Sequence, residues 1–387
     1  MSKRGDVLSV LRFEKPEYLP WFGDLAYWIE YLLDDGLMDK KYLDKELYEK
    51  GREEYQMSLA APPAPFIGEG LHLMHHDLGV GFYLQGYFPF IEKCEIEPEI
   101  EYKGDDKIIS YTTPKGALRE VWFHEHNTHS WAPKERLIKD WHDLAALRWI
   151  YEHTTYTPDY TLAEQRVERV GDEGIVLVYT MKTPFQELTA LKAGIETVTF
   201  LYMDAQDEFE ETLAVMEKKH DETVRIANAA PADCVFVPEN LSSTLSSGLF
   251  YEKYLKGVHE KWTGMIRDAG KFSAVHLDGT LNPLITNLSD AGFDIIEGIT
   301  PSPVGDLPLS DLRSRVQEKT VLWGGIPGGF FNPYLSDEEF DRYVIGAIEI
   351  MKNGKGFVLG VGDQIVPGSS PDRIRRVDEL VRQYGKL

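Results

Sequence analysis

The C-terminal half of this chain repeats one unit five times: an apolar run of strand length, a polar or glycine-rich tip, then a helix-like stretch. The tips are Pro238-Glu239-Asn240 after CVFV, His276-Leu277-Asp278-Gly279 after FSAV and Glu297-Gly298 after FDII. Gly324-Gly325-Ile326-Pro327 after TVLW and Gly362-Asp363-Gln364 after GFVLGV complete the series. Continuous apolar runs suit strands buried on both faces, and their alternation with helices implies a parallel sheet. The repeat therefore predicts an α/β fold, a (β/α)8 TIM barrel, with its chemistry at the C-terminal strand ends.

The rest of the chain reads as elaboration of that barrel. Residues 1–60 have an amphipathic helical texture, forming an N-terminal helical extension in which Asp6 is placed to cap VLSVLRF. YLPWFGD reads as a first strand ending at Asp24, AYWIEYLLDDGL as a helix, and PPAPF at 62–66 as a rigid turn. KIISYTT-PKG-ALREVWF carries a hairpin signal, so about 80–130 is expected to be an inserted antiparallel β-hairpin element. GIVLVYT at 174–180 is a buried parallel strand, and the segment from Glu196 to Ala229 a helix stopped by Pro231. With no low-complexity linker, residues 1–387 are read as a single domain.

Composition bounds the partners. A net charge of -23 argues against nucleic acid, since phosphates would be repelled; a basic protein partner is compatible with it. Cys94 and Cys234 are far apart and form no CxxC pair, which suits a reducing, cytoplasmic setting. The N-terminus lacks the apolar core of a signal peptide, and no run reaches the ~20 apolar residues of a membrane span.

His276 and Asp278 are two apart at a strand end, so both can face the barrel mouth. With Glu239 and Asp363 on other strands they would make an open site of nitrogen and oxygen donors, of the kind that suits zinc. The same spacing also suits a hydrogen-bonded barrel histidine with Asp278 capping the next helix. His75, His76 and Asp77 read as a capped helix start, and His124, His126 and His129 as the edge of the inserted hairpin. Trp21, Phe22, Tyr27 and Trp28 flank the polar tip at Asp24 and could line a pocket for a planar substrate or pack the core.

The order of these motifs resembles the uroporphyrinogen decarboxylase superfamily, and within it the cobalamin-dependent methyltransferases that act with a corrinoid protein. The resemblance runs through TTPKGALREVW, KDWHDLAAL, HLDG, GFDIIEGITPSPVGDLPLSDLR, LWGGIP and GVGDQIVPGSSPDRIRRVDELVRQYG. The arginine-rich segment that binds a porphyrinogen's carboxylates is replaced by Gly23-Asp24-Leu25-Ala26-Tyr27-Trp28. The His-x-Cys and later Cys of the thiol-methylating members stand here as His276-Leu277-Asp278 and Asp363. The resemblance therefore implies O-demethylation: methyl transfer from an O-methyl substrate, an aromatic methyl ether, to cob(I)alamin on a partner corrinoid protein. Zinc held by Glu239, His276, Asp278 and Asp363 would serve as Lewis acid, or Glu297 or Asp363 as proton donor. Trp21, Asp24, Tyr27, Trp28 and Trp323 would hold the substrate. The chain itself has no DxHxxG cobalamin signature. A metal-independent decarboxylase and a methylcobalamin:thiol methyltransferase are the alternatives, and a homodimer is a candidate assembly.

Overall fold

The computed structural model describes residues 2–43, 69–84, 87–126, 130–246 and 248–387; the turn expected at 62–66 and His129 lie outside them. Strand β1 (Phe82–Leu84) is followed by β2 (Phe90–Cys94), β3 (Glu99–Lys103), β4 (Asp106–Thr113), β5 (Gly116–Glu125), β6 (Ser130–Glu135) and β7 (Thr154–Pro158). Then come β8 (Gly174–Tyr179), β9 (Cys234–Leu241), β10 (Phe272–Leu277), β11 (Ile295–Ile299), β12 (Val321–Pro327) and β13 (Phe357–Gly362). β1 and β8 to β13 form one curled parallel sheet in the order β1-β8-β9-β10-β11-β12-β13, with helices between successive strands.

The YLPWFGD segment touches both edges of this sheet. Phe22 N–H donates to Leu359 O and Leu359 N–H to Pro20 O, both at 2.9 Å, on the β13 side. Gly81 N–H donates to Trp21 O at 2.9 Å, one residue before β1. Side chains alternate between the two faces of the sheet. Ile175, Leu177, Tyr179, Cys234, Phe236, Ala274, Ile295, Val321, Trp323 and Val358 share an inner cluster with Phe22 and Tyr83. Val176, Val178, Val235, Val237, Val275, Ile296, Leu322 and Leu359 belong to the outer core against the helices. Val7, Val10 and Leu11 of helix Lys3–Leu11 join the inner cluster, and Arg4 bonds Gly174 O at the start of β8. The N-terminal end of the curl is thereby filled by this helix, which leaves polar chemistry to the other end.

Several local expectations are corrected. Ser2, not Asp6, caps the first helix; Asp6 lies inside its first turn and accepts from Glu17 N–H. The long helical segment is two helices, Ile195–Asp204 and Gln206–Ala229, broken at Ala205, whose backbone leaves the helical region at φ -148°, ψ 51°. The hairpin is present, with Thr113 opposite Gly116, but β3 to β6 form a four-stranded sheet and β2 pairs with β7. The inserted sheets therefore begin after β1 and reach Pro158, whereas Phe82–Leu84 belongs to the parallel sheet. His75, His76 and Asp77 fall in the last turn of helix Glu69–Leu78, so they do not begin a helix. His75 packs edge-on to Phe82 at 4.8 Å, and its burial depresses its pKa to about 3.

Candidate functional site

The inner face of the sheet converges on His276 at the end of β10. It has the same parity as Ala274, so it points inward, and it is 5% exposed. Its Nδ1 lies 2.6 Å from Glu297 Oε2 on neighbouring β11, and its Nε2 lies 3.4 Å from Asp363 Oδ1 just beyond β13. Glu297 is 1% exposed, and its other oxygen accepts the Tyr83 hydroxyl at 2.9 Å. Both imidazole nitrogens thus face carboxylate oxygens, an arrangement satisfied by a ring protonated at both. Burial opposes that charge, but the charge of Glu297 and the hydrogen bonds that the ring donates to Asp363 and Glu297 outweigh it. They hold the His276 pKa well above the ordinary histidine value.

The backbone makes room for this cluster. Gly298 has φ +80°, and a Cβ there would stand 2.6 Å from His276 Cε1 and 2.8 Å from its Nδ1. Only glycine lets β11 turn away while the imidazole lies against it. Asp363 itself adopts a left-handed backbone at φ +63°, and its N–H donates to Gly298 O at 3.2 Å. Left-handed non-glycine residues are uncommon and gather at functional sites. Asp363 is half exposed, so the mouth opens to solvent on its side.

Asp24 approaches from the first segment and is 4% exposed. Ala26 N–H donates to its Oδ1 at 2.8 Å, and Gln364 donates to its Oδ2 at 3.1 Å. Burial first, and then the charges of Glu297 and Asp363, raise its pKa to about 7, against the lowering effect of the Ala26 hydrogen bond. Asp278, partly buried beyond β10, is also raised, by burial and then by Asp363. The mouth therefore gathers Asp24, His276, Asp278, Glu297 and Asp363.

Glu239 does not join them. It shares the parity of Val235 and Val237, which face the helices, and it is fully buried on that side. Its Oε1 accepts Thr183 N–H at 2.9 Å and stands 3.3 Å from His259 Nε2. The four donors expected for zinc are thus split between two faces, and His276 has both nitrogens engaged by carboxylates. Among the described residues, no three His, Cys, Asp or Glu side chains are grouped so as to hold a metal ion. As arranged, these residues do not fit zinc.

The aromatic residues also divide. Trp21 is in the outer core, stacked on Phe331 at 6.3 Å, and Trp28 donates its indole N–H to Ser369 O at 3.1 Å. Both pack in the core, one of the two readings their sequence allowed; Tyr27 beside them is half-buried. Trp323 is on the inner face, 4.8 Å from Tyr83 and 5.5 Å from Phe22. Phe22, Tyr83 and Trp323 form an aromatic floor below the acid cluster, and the Phe236 ring stands 6.4 Å from that of His276.

Two contributors were missed in the sequence. Tyr83 lies in GFYLQG, where its inward parity was the available signal. Lys182 stands three residues beyond the end of β8, and reading GIVLVYT through to its own tip, Met181-Lys182-Thr183, would have found it. Lys182 is 7% exposed and donates to Pro238 O and, at 3.2 Å, to Asn240 Oδ1.

A curled parallel sheet with interleaved helices, its polar residues collected at the C-terminal strand ends, is the layout of TIM-barrel-like enzymes. The family model described as Uroporphyrinogen decarboxylase (URO-D) matches residues 119–384, and the chain belongs to that family. Among solved structures, a methyltransferase from Methanosarcina mazei superposes with a TM-score of 0.62 at 14% identity, covering 99% of each chain. At that identity the likeness speaks to fold alone. D-psicose 3-epimerase from Clostridium cellulolyticum H10 covers 58% of this chain and 84% of its own at 9% identity, with a TM-score of only 0.34. No curated protein matches the chain. Among the described residues no helix is long and apolar enough to cross a membrane.

Proposed function

We propose that the chain moves a methyl group from an O-methyl substrate, an aromatic methyl ether, to the cob(I)alamin of a partner corrinoid protein. We further propose that the Pro20–Phe22 segment closes the curled sheet into an eight-stranded barrel whose mouth receives both reactants. The observation that carries the reading is His276, held by Glu297 and Asp363 above an aromatic floor.

The carbon–cobalt bond forms as the carbon–oxygen bond breaks, and both electrons of the broken bond stay on oxygen. The phenolate that leaves is met by a proton from His276 Nε2, a role for which general acids contribute about 10²–10⁴-fold. Glu297, fixed by the Tyr83 hydroxyl, orients the imidazole and keeps it charged. That places Glu297 behind the proton donor, and Asp363 at the open side where the leaving oxygen can approach. Asp24, protonated up to about pH 7, is a second proton source beside them. Phe22, Tyr83 and Trp323 offer a flat apolar surface for the ring.

The test is methyl transfer from 2-methoxyphenol and related ethers to free cob(I)alamin, followed by the change in corrinoid absorbance. His276→Ala is expected to lower the rate at least ~100-fold while the far-ultraviolet circular dichroism is unchanged. Near wild-type transfer by the variant would overturn the assignment. Family membership favours a second reading, a metal-independent carboxy-lyase of the uroporphyrinogen decarboxylase type. Release of carbon dioxide from carboxylated aromatics, without corrinoid methylation, would select it.

A further inference from the structure

We propose that Lys182 is an anion-binding residue of the mouth and that the methyl donor is accordingly a methoxylated aromatic acid, bound through its carboxylate. The inference rests on the methyl-ether reading above and deepens it.

Burying an ammonium group is costly unless it is paired. Lys182 is nevertheless buried, and among the described residues its nitrogen has only neutral acceptors, Pro238 O and Asn240 Oδ1. An ammonium carries three N–H donors, so two acceptors leave one donor uncommitted. The acids whose charges reach it are Glu239, Glu187 and Asp278. Glu239 spends only Oε1, on Thr183 N–H and His259, its Oε2 being buried without a hydrogen bond among the described residues, and Glu187 meets the Tyr151 hydroxyl at 2.6 Å and His220 at 3.2 Å. Neither serves as a direct counter-ion. Asp278 at the mouth donates its N–H to Leu241 O at 2.8 Å, one residue beyond the Asn240 that holds Lys182, so the cation and the acid site share the C-terminal ends of neighbouring strands.

The backbone supports a positioned cation. Asn240 adopts φ +51°, a left-handed conformation uncommon outside glycine, and its amide oxygen is the group that holds Lys182. Gln186 clamps the same corner by donating to Glu239 O at 2.9 Å and Asn240 O at 3.2 Å, and Ser246 donates to Gln186 in turn. A desolvated ammonium fixed by neutral groups, next to a mouth otherwise lined by acids, is a half-site that an incoming carboxylate completes. An acid substrate would then be oriented by opposite ends: carboxylate to Lys182 and methoxyl oxygen to His276.

The experiment compares calorimetric binding of 4-methoxybenzoate and its neutral methyl ester to the full chain. Wild type is expected to prefer the acid by about tenfold to a hundredfold, the range for a charged hydrogen bond. Lys182→Met should abolish that preference without weakening the ester, and Lys182→Arg should retain it. Equal binding of acid and ester by wild type, or a preference surviving in Lys182→Met, overturns the proposal; the wild-type comparison stands even if a variant fails to fold. A Lys182-dependent preference without any corrinoid methylation would support this site and refute the methyl-transfer reading.

Discussion

Asp24 is a carboxyl group kept protonated by its surroundings, and this has a cost that can be measured. Its folded pKa of about 7 lies above the ordinary 3.8, so between those pH values the folded state holds a proton that the unfolded state has lost. Stability contributed by that proton is full below about pH 4 and declines as pH rises, with the whole penalty present above about 7. The gap corresponds to roughly 4 kcal/mol at most. Asp24→Asn is therefore expected to match wild type near pH 4 and to exceed it by up to ~4 kcal/mol above pH 7, read from urea midpoints. A difference independent of pH would contradict the buried-acid description. At this scale the sequence was legible where strand parity alone decided: His276 and Glu297 face inward as their positions imply. Glu239 was misread because one residue changes the face, and the end of β9 puts Asn240 rather than Glu239 in contact with Lys182.

The strand ends carry the site because their backbones make turns that few residues allow. Gly298→Ala would place a methyl group within 2.6 Å of His276 Cε1 at φ +80°. It is expected to cost ~1–3 kcal/mol of stability and to reduce methyl transfer more than tenfold by displacing the imidazole. Unchanged kinetics would show that the ring's position against β11 is unimportant. Strands were readable as elements because their apolar runs are unbroken and their tips polar. The break at Ala205 was not, since the helical pattern continues on both sides and no proline or glycine marks it. The helix Glu69–Leu78 was misplaced for a similar reason: HLMHHD looks like a helix beginning, although its apolar residues Leu71, Met74 and Leu78 pack as the face of a helix already under way.

On the scale of the molecule, the first segment joins the two sheet edges and also supplies part of the floor. Phe22 is fully buried, edge-on to Trp323 at 5.5 Å and Tyr83 at 6.4 Å. Phe22→Ala should cost about 3–5 kcal/mol, as large core deletions do, and should weaken aromatic ligands as well as the fold. A loss under ~1 kcal/mol in denaturant midpoints would mean that this floor is not packed as described. The alternation of strand and helix made the parallel sheet predictable, whereas the extent of the insertion was not. β2 and β7 pair across 59 intervening residues, and nothing local to either strand announces its partner. The site's chemistry was half legible for the same reason: the sequence shows which strand ends are polar, but not which donors share a face.

In the proposed mechanism a proton on His276, rather than a metal, meets the charge on the departing oxygen during methyl transfer. The most direct measurement is the rate of cob(I)alamin methylation by the full chain with a methoxylated aromatic donor, before and after exhaustive treatment with a zinc chelator. Equal rates are expected for the two preparations, with near-complete loss in His276→Ala. Activity that disappears on chelation and returns with added zinc would contradict it.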